Sequence, residues 1–243
     1  MNPDNIRIVL LGTTHPGNIG SAARAMKTMG LSRLHLVAPL YYPDPRAQAT
    51  AGHAADVLGA AHVHADLAAA LHDTRLVLGL TARPRRLAAE ALDARCGALQ
   101  IAEASRAYPV ALLFGREDSG LTNAQLSYCH GVVHIPANPA YPVLNLAAAV
   151  QIVCYELFLA GRCLEGERGE PSGSSAAPPA PMEELEGFYC HLQRIMQASG
   201  YSRHRPDALL MRRLRRLFNR ARPERAELNL LRGILTAIER RLG

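Results

Sequence analysis

Residues 5–31 read NIRIVLLGTTHPGNIGSAARAMKTMGL, and this stretch decides the fold class. Ile6 to Leu11 is apolar apart from Arg7, as expected of a strand buried on both faces of a parallel sheet. The segment Gly12 to Arg24, GTTHPGNIGSAAR, then reads as a tight turn into a helix. Its glycines permit the turn, Asn18 is placed to cap, and the helix is expected over Asn18 to Met29. The glycine spacing is neither G-x-G-x-x-G nor G-x-x-x-x-G-K-[ST], so neither a dinucleotide fingerprint nor a phosphoryl-transfer loop is present.

Working outward, the same alternation repeats. Strands are expected at Ile6 to Leu11, Leu34 to Val37, Leu76 to Leu80, Val110 to Phe114 and Val132 to Ile135. Helices are expected at Ala47 to Leu58 and Ala98 to Ala107, and a last one, Leu144 to Leu164, is apolar nearly all round at its start, so buried first and more exposed later. This is the pattern of an α/β domain with a mostly parallel sheet, over residues 1–164. Residues 165–181, rich in Pro, Gly and Ser, read as a flexible linker. Beyond them, residues 182–243 form a small all-α part. Leu185, Phe188, Tyr189, Leu192, Ile195 and Met196 fall at helical spacing before Gly200. Pro206 opens a second helix to about Asn219, and after Pro223 a third presents Leu228, Leu231, Ile234, Leu235 and Ile238 on one stripe. With so few residues this part is a marginal independent fold and calls for packing against the rest or against a partner chain.

Charge divides the chain in the same place. Residues 1–182 hold 14 Lys+Arg and 14 Asp+Glu, whereas residues 183–243 hold 13 and 7, so the net charge of +6 resides in the tail. Tyr201 to Arg225 carries nine arginines against Asp207 and Glu224. Arginine forks suit bidentate phosphate contacts, which points to a polyanion partner, although solvated helix faces also carry such charge. Residues 1–4 have no secretory-signal pattern, and the apolar run Leu144 to Cys154 is broken by Asn145 and Gln151, so a soluble, cytoplasmic protein without a membrane span is expected. The five cysteines, odd in number and without a C-x-x-C pair, read as reduced thiols. His62 and His64 flank Val63, and alternation on a short strand explains them without a metal; no metal site is expected.

Two further segments follow apolar strands at the end where open α/β sheets bind ligands. LFGREDSGLTN, residues 113–123, places Gly115, Glu117 and Gly120 in a turn, with Thr122 or Asn123 capping the next helix. IPANPAYPVLNLAAAVQ, residues 135–151, has three prolines within seven residues and an Asn in an apolar helix start. Proline rigidifies and a buried amide must find partners, so a preformed pocket is expected.

These three segments, in this order and spacing, resemble the three motifs of the SpoU-type, or SPOUT, RNA 2′-O-methyltransferases. The tail LMRRLRRLFNRARPERAELNLLRGILTAIE, residues 210–239, resembles the C-terminal extension of the bacterial members that methylate the pyrimidine on the 5′ side of the tRNA anticodon loop. The resemblance implies a trefoil-knotted sheet, a homodimer, S-adenosylmethionine as methyl donor and tRNA as substrate. By position it implies a donor site of Leu80, Thr81, Ala82, Gly115, Gly120, Ile135, Pro142, Val143 and Leu144, with Asn145 nearby. It also implies a catalytic Arg24 close to the partner subunit's site, with Asn18 and Glu117 holding the first two loops in shape. Arg203, Arg205, Arg212, Arg213, Arg215 and Arg216 are the implied RNA contacts.

In the family Arg24 is held to assist proton removal. A guanidinium is a poor base, so stabilising developing negative charge or clamping a phosphate is an equal alternative. Relatives often have serine where this chain has Val143, preceded here by Pro142; Thr13, Thr14 or Tyr141 then stand as substitutes for the missing hydroxyl. Two other functions remain open on the sequence: methylation of another RNA such as rRNA, and a non-catalytic RNA-binding protein on the same fold.

Overall fold

Each expected strand pairs in parallel with another. The structure, a computed structural model, describes residues 1–82, 90–166, 177–201 and 207–242. In chain order the elements are β1 (Ile6–Leu11), α1 (Pro16–Thr28), β2 (Leu34–Val37), α2 (Pro45–Ala51), α3 (Ala55–Gly59), β3 (His62–His64), α4 (Leu67–Leu71), β4 (Leu76–Leu80), β5 (Glu90–Asp93), α5 (Ala94–Ala104), β6 (Val110–Phe114), α6 (Asn123–Leu126), β7 (Gly131–His134), α7 (Leu146–Gly166), α8 (Met182–Ala198), α9 (Asp207–Ala221) and α10 (Arg225–Leu242). Seven strands form one sheet in the order β3-β2-β1-β6-β4-β7-β5, every pairing parallel.

The two-residue period of a strand sorts this sheet into two cores. Ile6, Ile8 and Leu10 of β1 join Val110, Leu112 and Phe114 of β6 in a layer covered by α1, α2, α5 and α7. Val9 and Leu11 join Val77, Ala111 and Leu113 on the opposite face, covered by α4 and by Met182, Leu185, Phe188 and Tyr189 of α8. Arg7 points to that second face, where it donates to the carbonyl of Ala70 and pairs with Asp73 at 2.6 Å. Burial alone would raise the Asp73 pKa, but the bond and charge of Arg7 outweigh it and hold the carboxyl below its usual range.

The C-terminal helices are therefore the second cover of the sheet. Burying a side chain of this size contributes roughly 1.5–3 kcal/mol. The four α8 residues together are thus of the same order as a domain's whole net stability, about 5–15 kcal/mol. The end of the expected linker belongs to this packing: Ala180 is fully buried and its N–H donates to the carbonyl of Pro223, while Pro179 bridges to Glu224. The first two residues of the expected linker, Glu165 and Gly166, close α7, and 167–176 lie outside the described residues.

Several sequence expectations change in detail. The helix expected over Ala47 to Leu58 is two helices, because Gly52 adopts a positive φ of 53° and ends the first. His15, not Asn18, stands at the N-cap of α1, and Pro16 opens the helix. On α10 the buried residues are Leu228 and Leu235, with Leu231 packed beside them; Ile234 and Ile238 are exposed. The apolar run Leu144 to Cys154, read as broken by Asn145 and Gln151, is part of a longer one, and Leu146–Glu165 has the length and hydropathy of a membrane span. Its inner face, including Val150, Val153, Cys154, Leu157 and Ala160, is packed into the first core, whereas Tyr155 and Phe158 are exposed. β5 and α4 were not foreseen; both are five residues or shorter.

His62 and His64 lie on β3, as the alternation implied, and stack with His35 of β2, whose Nδ1 is 2.9 Å from the His64 Nε2. Burial lowers the His35 pKa to about 3, so the ring is neutral. Among the described residues no group of three or more His, Cys, Asp or Glu side chains has a metal-binding arrangement.

Candidate functional site

At the C-terminal ends of β4, β6 and β7 the chain leaves one cavity of about 270 Å³. Open parallel sheets offer such a crevice because the loops diverge as the strands end. Nine of the ten residues expected at the donor site line it: Leu80, Thr81 and Ala82 after β4, Gly115 and Gly120 after β6, and Ile135, Pro142, Val143 and Leu144 after β7. The tenth, Asn145, stands beside it with a different duty. It is exposed rather than buried, and its Oδ1 accepts the N–H groups of Ala147 and Ala148, which caps α7. The helix consequently starts at Leu146, two residues later than its apolar pattern suggested.

The loop after β6 closes on itself. A Cβ on Gly115 would lie 2.1 Å from the Gly120 carbonyl carbon and 2.3 Å from the Leu121 nitrogen, so only glycine lets the two sides of the turn meet. The turn then runs into α6 through a capping box in which Thr122 and Gln125 exchange bonds with each other's backbone. Thr122, and not Asn123, is the cap.

Glu117 ties this loop to the one after β1. Its carboxylate accepts from the Thr14 N–H and hydroxyl at 3.1 and 3.0 Å, from the His15 N–H at 3.3 Å and from the Asn18 amide at 3.0 Å. Asn18 in turn accepts from the Asn145 amide at 3.2 Å. One chain of bonds, Glu117 to Asn18 to Asn145, thus joins all three motif loops and ends on the cap of α7. Partial burial pushes the Glu117 pKa up, but the bonds from Asn18, Thr14 and His15 outweigh this and hold it low, so the acceptor is ionised near neutral pH. Asn18 and Glu117 were expected to shape these loops; the backbone N–H groups of Thr14 and His15 were not, because a side-chain pattern does not reveal a main-chain donor.

Glu117→Gln is expected to remove about 1–3 kcal/mol, since the amide turns one acceptor into a donor facing N–H groups. For a chain of this size that lowers the melting temperature by several degrees, at roughly 2–4 °C per kcal/mol, in a calorimetric scan. An unchanged melting temperature would mean that the three loops are held by other contacts.

Arg24 lies elsewhere. It is exposed on α1, outside the cavity lining, and among the described residues its guanidinium has no hydrogen-bond or ion-pair partner. Of the expected RNA contacts, Arg203 and Arg205 lie outside the described residues. Arg212, Arg213 and Arg216 line a second cavity against α6 and β7. Arg215 has another role: it forms a bidentate pair with Glu186 and lies 4.5 Å from the Tyr189 ring centroid and 5.4 Å from that of Tyr128. Its side chain is only 16% exposed, and the pair joins α9 to α8.

Comparison with known proteins agrees with this geometry. Residues 5–155 match the model of the SpoU rRNA Methylase family, and residues 183–243 match that of the C-terminal domain of the tRNA methyltransferase TrmJ. The chain is 52% identical over 236 residues to the tRNA (cytidine/uridine-2′-O-)-methyltransferase TrmJ of Sodalis glossinidius, covering 97% of this chain and 91% of the relative. It is 51% identical to the protein of the same name from Escherichia coli K12, covering 97% and 95%. The crystal structure of TrmJ from Z. mobilis ZM4 superimposes with a TM-score of 0.82 at 33% identity, covering 96% of this chain and 98% of that one. The chain belongs to the SpoU rRNA methylase family.

Proposed function

We propose that this protein transfers a methyl group from S-adenosylmethionine to a ribose 2′-hydroxyl of tRNA, at the pyrimidine on the 5′ side of the anticodon loop. The observation that carries the reading is a cavity at the strand ends, lined by nine of the ten residues expected to hold the donor. Those residues fit the group. The walls combine apolar side chains such as Leu80, Ile135 and Leu144 with the polar turn 115–120, which closes on itself at Gly115, and the loops are fixed beforehand by Glu117, Asn18 and Asn145. When bound, S-adenosylmethionine supplies an electrophilic methyl on a sulfonium, and no metal is required for that chemistry.

The protein's own work is alignment and charge. A ribose hydroxyl is a weak acid, so the transition state carries developing negative charge on O2′ that a fixed cation stabilises. Arg24 is our candidate for that cation. Because it stands outside its own chain's cavity, it acts at the site of a second copy, which makes the working form a homodimer of the knotted fold. Tyr155 and Phe158, exposed on α7, offer apolar surface for that contact. A 2′-hydroxyl acceptor selects RNA over DNA, and the relatives' names specify tRNA. We place the protein in the cytoplasm, where this substrate resides, with residues 182–243 contributing the basic surface.

The test is transfer of tritiated methyl from S-adenosylmethionine into bulk tRNA and rRNA from a strain lacking the modification. Label in tRNA alone is expected; label in rRNA alone would redirect the substrate assignment. Val143 lines the cavity and is half exposed, and transfer by the unaltered chain would mean that the family's serine hydroxyl is dispensable at this position.

A further inference from the structure

The cavity at the strand ends has a polar wall to which the expected donor residues give no role. Arg116, Glu117, Asp118 and Ser119, in the turn after β6, all line it. The backbone closes this turn, because the Gly120 N–H donates to the Arg116 carbonyl at 2.9 Å and the two residues form a bridge. Arg116 is also steered from the first loop. Its stem lies over Gly12, where a Cβ would stand 3.1 Å from the arginine Cγ and 3.3 Å from its Cδ. Gly12 has a positive φ of 58°, so the turn after β1 and the path of the arginine both favour glycine at this position.

Arg116 and Asp118 meet on this wall, Nε to Oδ1 at 3.2 Å and Nη2 to Oδ2 at 3.0 Å, and the Ser119 hydroxyl donates to the same Oδ1 at 2.8 Å. The bond from Arg116, and after it that from Ser119, holds the Asp118 carboxyl below its usual range, so it is ionised near neutral pH. Neither partner is used up. The guanidinium keeps N–H groups that Asp118 does not take, and the carboxylate keeps a lone pair that its two donors leave open. Both side chains remain accessible, at 48% and 64% exposure. Among the described residues, Arg116 is the one cation in the lining, against the carboxylates of Glu117 and Asp118. An RNA phosphate entering here would meet more negative than positive charge, whereas a ligand with a net positive charge is drawn in.

We propose that Arg116 and Asp118 hold the amino-acid end of S-adenosylmethionine, Arg116 donating to its α-carboxylate and Asp118 accepting from its α-ammonium. The inference rests on the proposed function and deepens it by assigning the charged wall of the same cavity. A zwitterion needs one group of each sign side by side on a fixed backbone, and the closed turn presents that pair. The sulfonium gives the donor a net positive charge, opposite to that of the lining. Leu80, Ile135 and Leu144 are left to contact the adenosine end. Gripping both ends fixes the sulfur between them, which aligns the methyl for an in-line transfer.

Calorimetric binding to the full chain tests this with three ligands that share adenosine and a neutral sulfur. S-adenosylhomocysteine keeps the whole amino-acid end, 5′-deoxy-5′-(3-aminopropylthio)adenosine keeps the ammonium without the carboxylate, and 5′-methylthioadenosine has neither. Arg116→Gln is expected to weaken S-adenosylhomocysteine about tenfold, the lower range for a hydrogen bond to a charged group because the pair is partly solvated, and to weaken neither of the others. Asp118→Asn is expected to weaken the two ligands that carry the ammonium and to spare 5′-methylthioadenosine. Equal weakening of all three by Arg116→Gln would mean that the arginine only shapes the turn, and would overturn the proposal. Unchanged S-adenosylhomocysteine affinity in both variants would overturn it too. If tRNA affinity fell in Arg116→Gln while S-adenosylhomocysteine still bound as in the wild type, the arginine would belong to an RNA phosphate instead. A wild type that binds none of the three ligands would overturn the proposed function and this inference together, whereas wild-type binding with the wrong pattern of losses overturns this inference alone.

Discussion

Arg24→Ala is expected to lower methyl transfer by about 10²- to 10³-fold, the magnitude associated with removing one fixed group that stabilises developing negative charge. The same change should leave the melting temperature nearly untouched, because exposed substitutions without partners usually stay within about 0.5 kcal/mol. Arg24 is such a residue: it is exposed on α1 and its guanidinium has no partner among the described residues. Donor affinity should also hold, since Arg24 is not part of the cavity. Retained turnover would remove Arg24 from the mechanism. Its position also makes the assignment to a second copy testable. If Arg24 serves the partner's cavity, an equal mixture of Arg24→Ala and a donor-site variant should recover about a quarter of the wild-type rate, because random pairing gives half mixed dimers with one intact site each. If it serves its own chain, no recovery occurs.

The donor-site variant is Gly115→Ala, and its effect is expected to be as large. The added methyl would stand 2.1 Å from the Gly120 carbonyl carbon and 2.5 Å from its oxygen. Neither is the far end of a flexible side chain, so the backbone of the turn must move. Inserting one methyl into tight packing costs roughly 1–3 kcal/mol. Here the strain falls on the segment that carries Glu117, whose bonds align the other two loops. Donor binding measured by calorimetry should weaken at least about tenfold, equivalent to 1.4 kcal/mol. Transfer should fall further, since it also needs the loops in register. Wild-type donor affinity in Gly115→Ala would show that the turn opens without consequence and that the cavity is not held by it.

The contrast between these residues and others shows what can be read from a sequence. The strands were legible because a sheet covered on both faces demands apolar residues at successive positions, and Ile6 to Leu11 states that demand openly. The residues of the cavity proposed for the donor were named through a resemblance in three separated segments. Residue types and spacing alone gave only turns after strands, and nothing in them joins Thr81, 115 and 142 in space. The role of Asn145 was misread because an amide in an apolar run looks buried, whereas it precedes the helix and caps it from an exposed position. The pairing of Arg215 was hidden for a related reason. Nine arginines in one stretch look alike in sequence, yet Glu186, 29 residues earlier, claims only one of them. Nor does local periodicity say which face of the sheet α8 will cover. Phe188 and Tyr189 show a buried stripe, and only the tertiary structure shows that they bury Val9, Leu11 and Leu113. Deleting residues 183–243 would therefore uncover one face of the sheet, and point substitutions on α9 are the cleaner probe of the basic tail.

The central claim is chemical: the methyl goes to a ribose oxygen and not to a base. Methylation of the 2′-hydroxyl removes the internal nucleophile through which alkali cleaves the neighbouring phosphodiester. The decisive measurement is alkaline hydrolysis of tRNA labelled by the wild-type protein with tritiated methyl, followed by separation of mononucleotides from dinucleotides. Label recovered in an alkali-stable dinucleotide whose 5′ member is a pyrimidine is the predicted result. Label recovered in mononucleotides would place the methyl on a base and contradict the account.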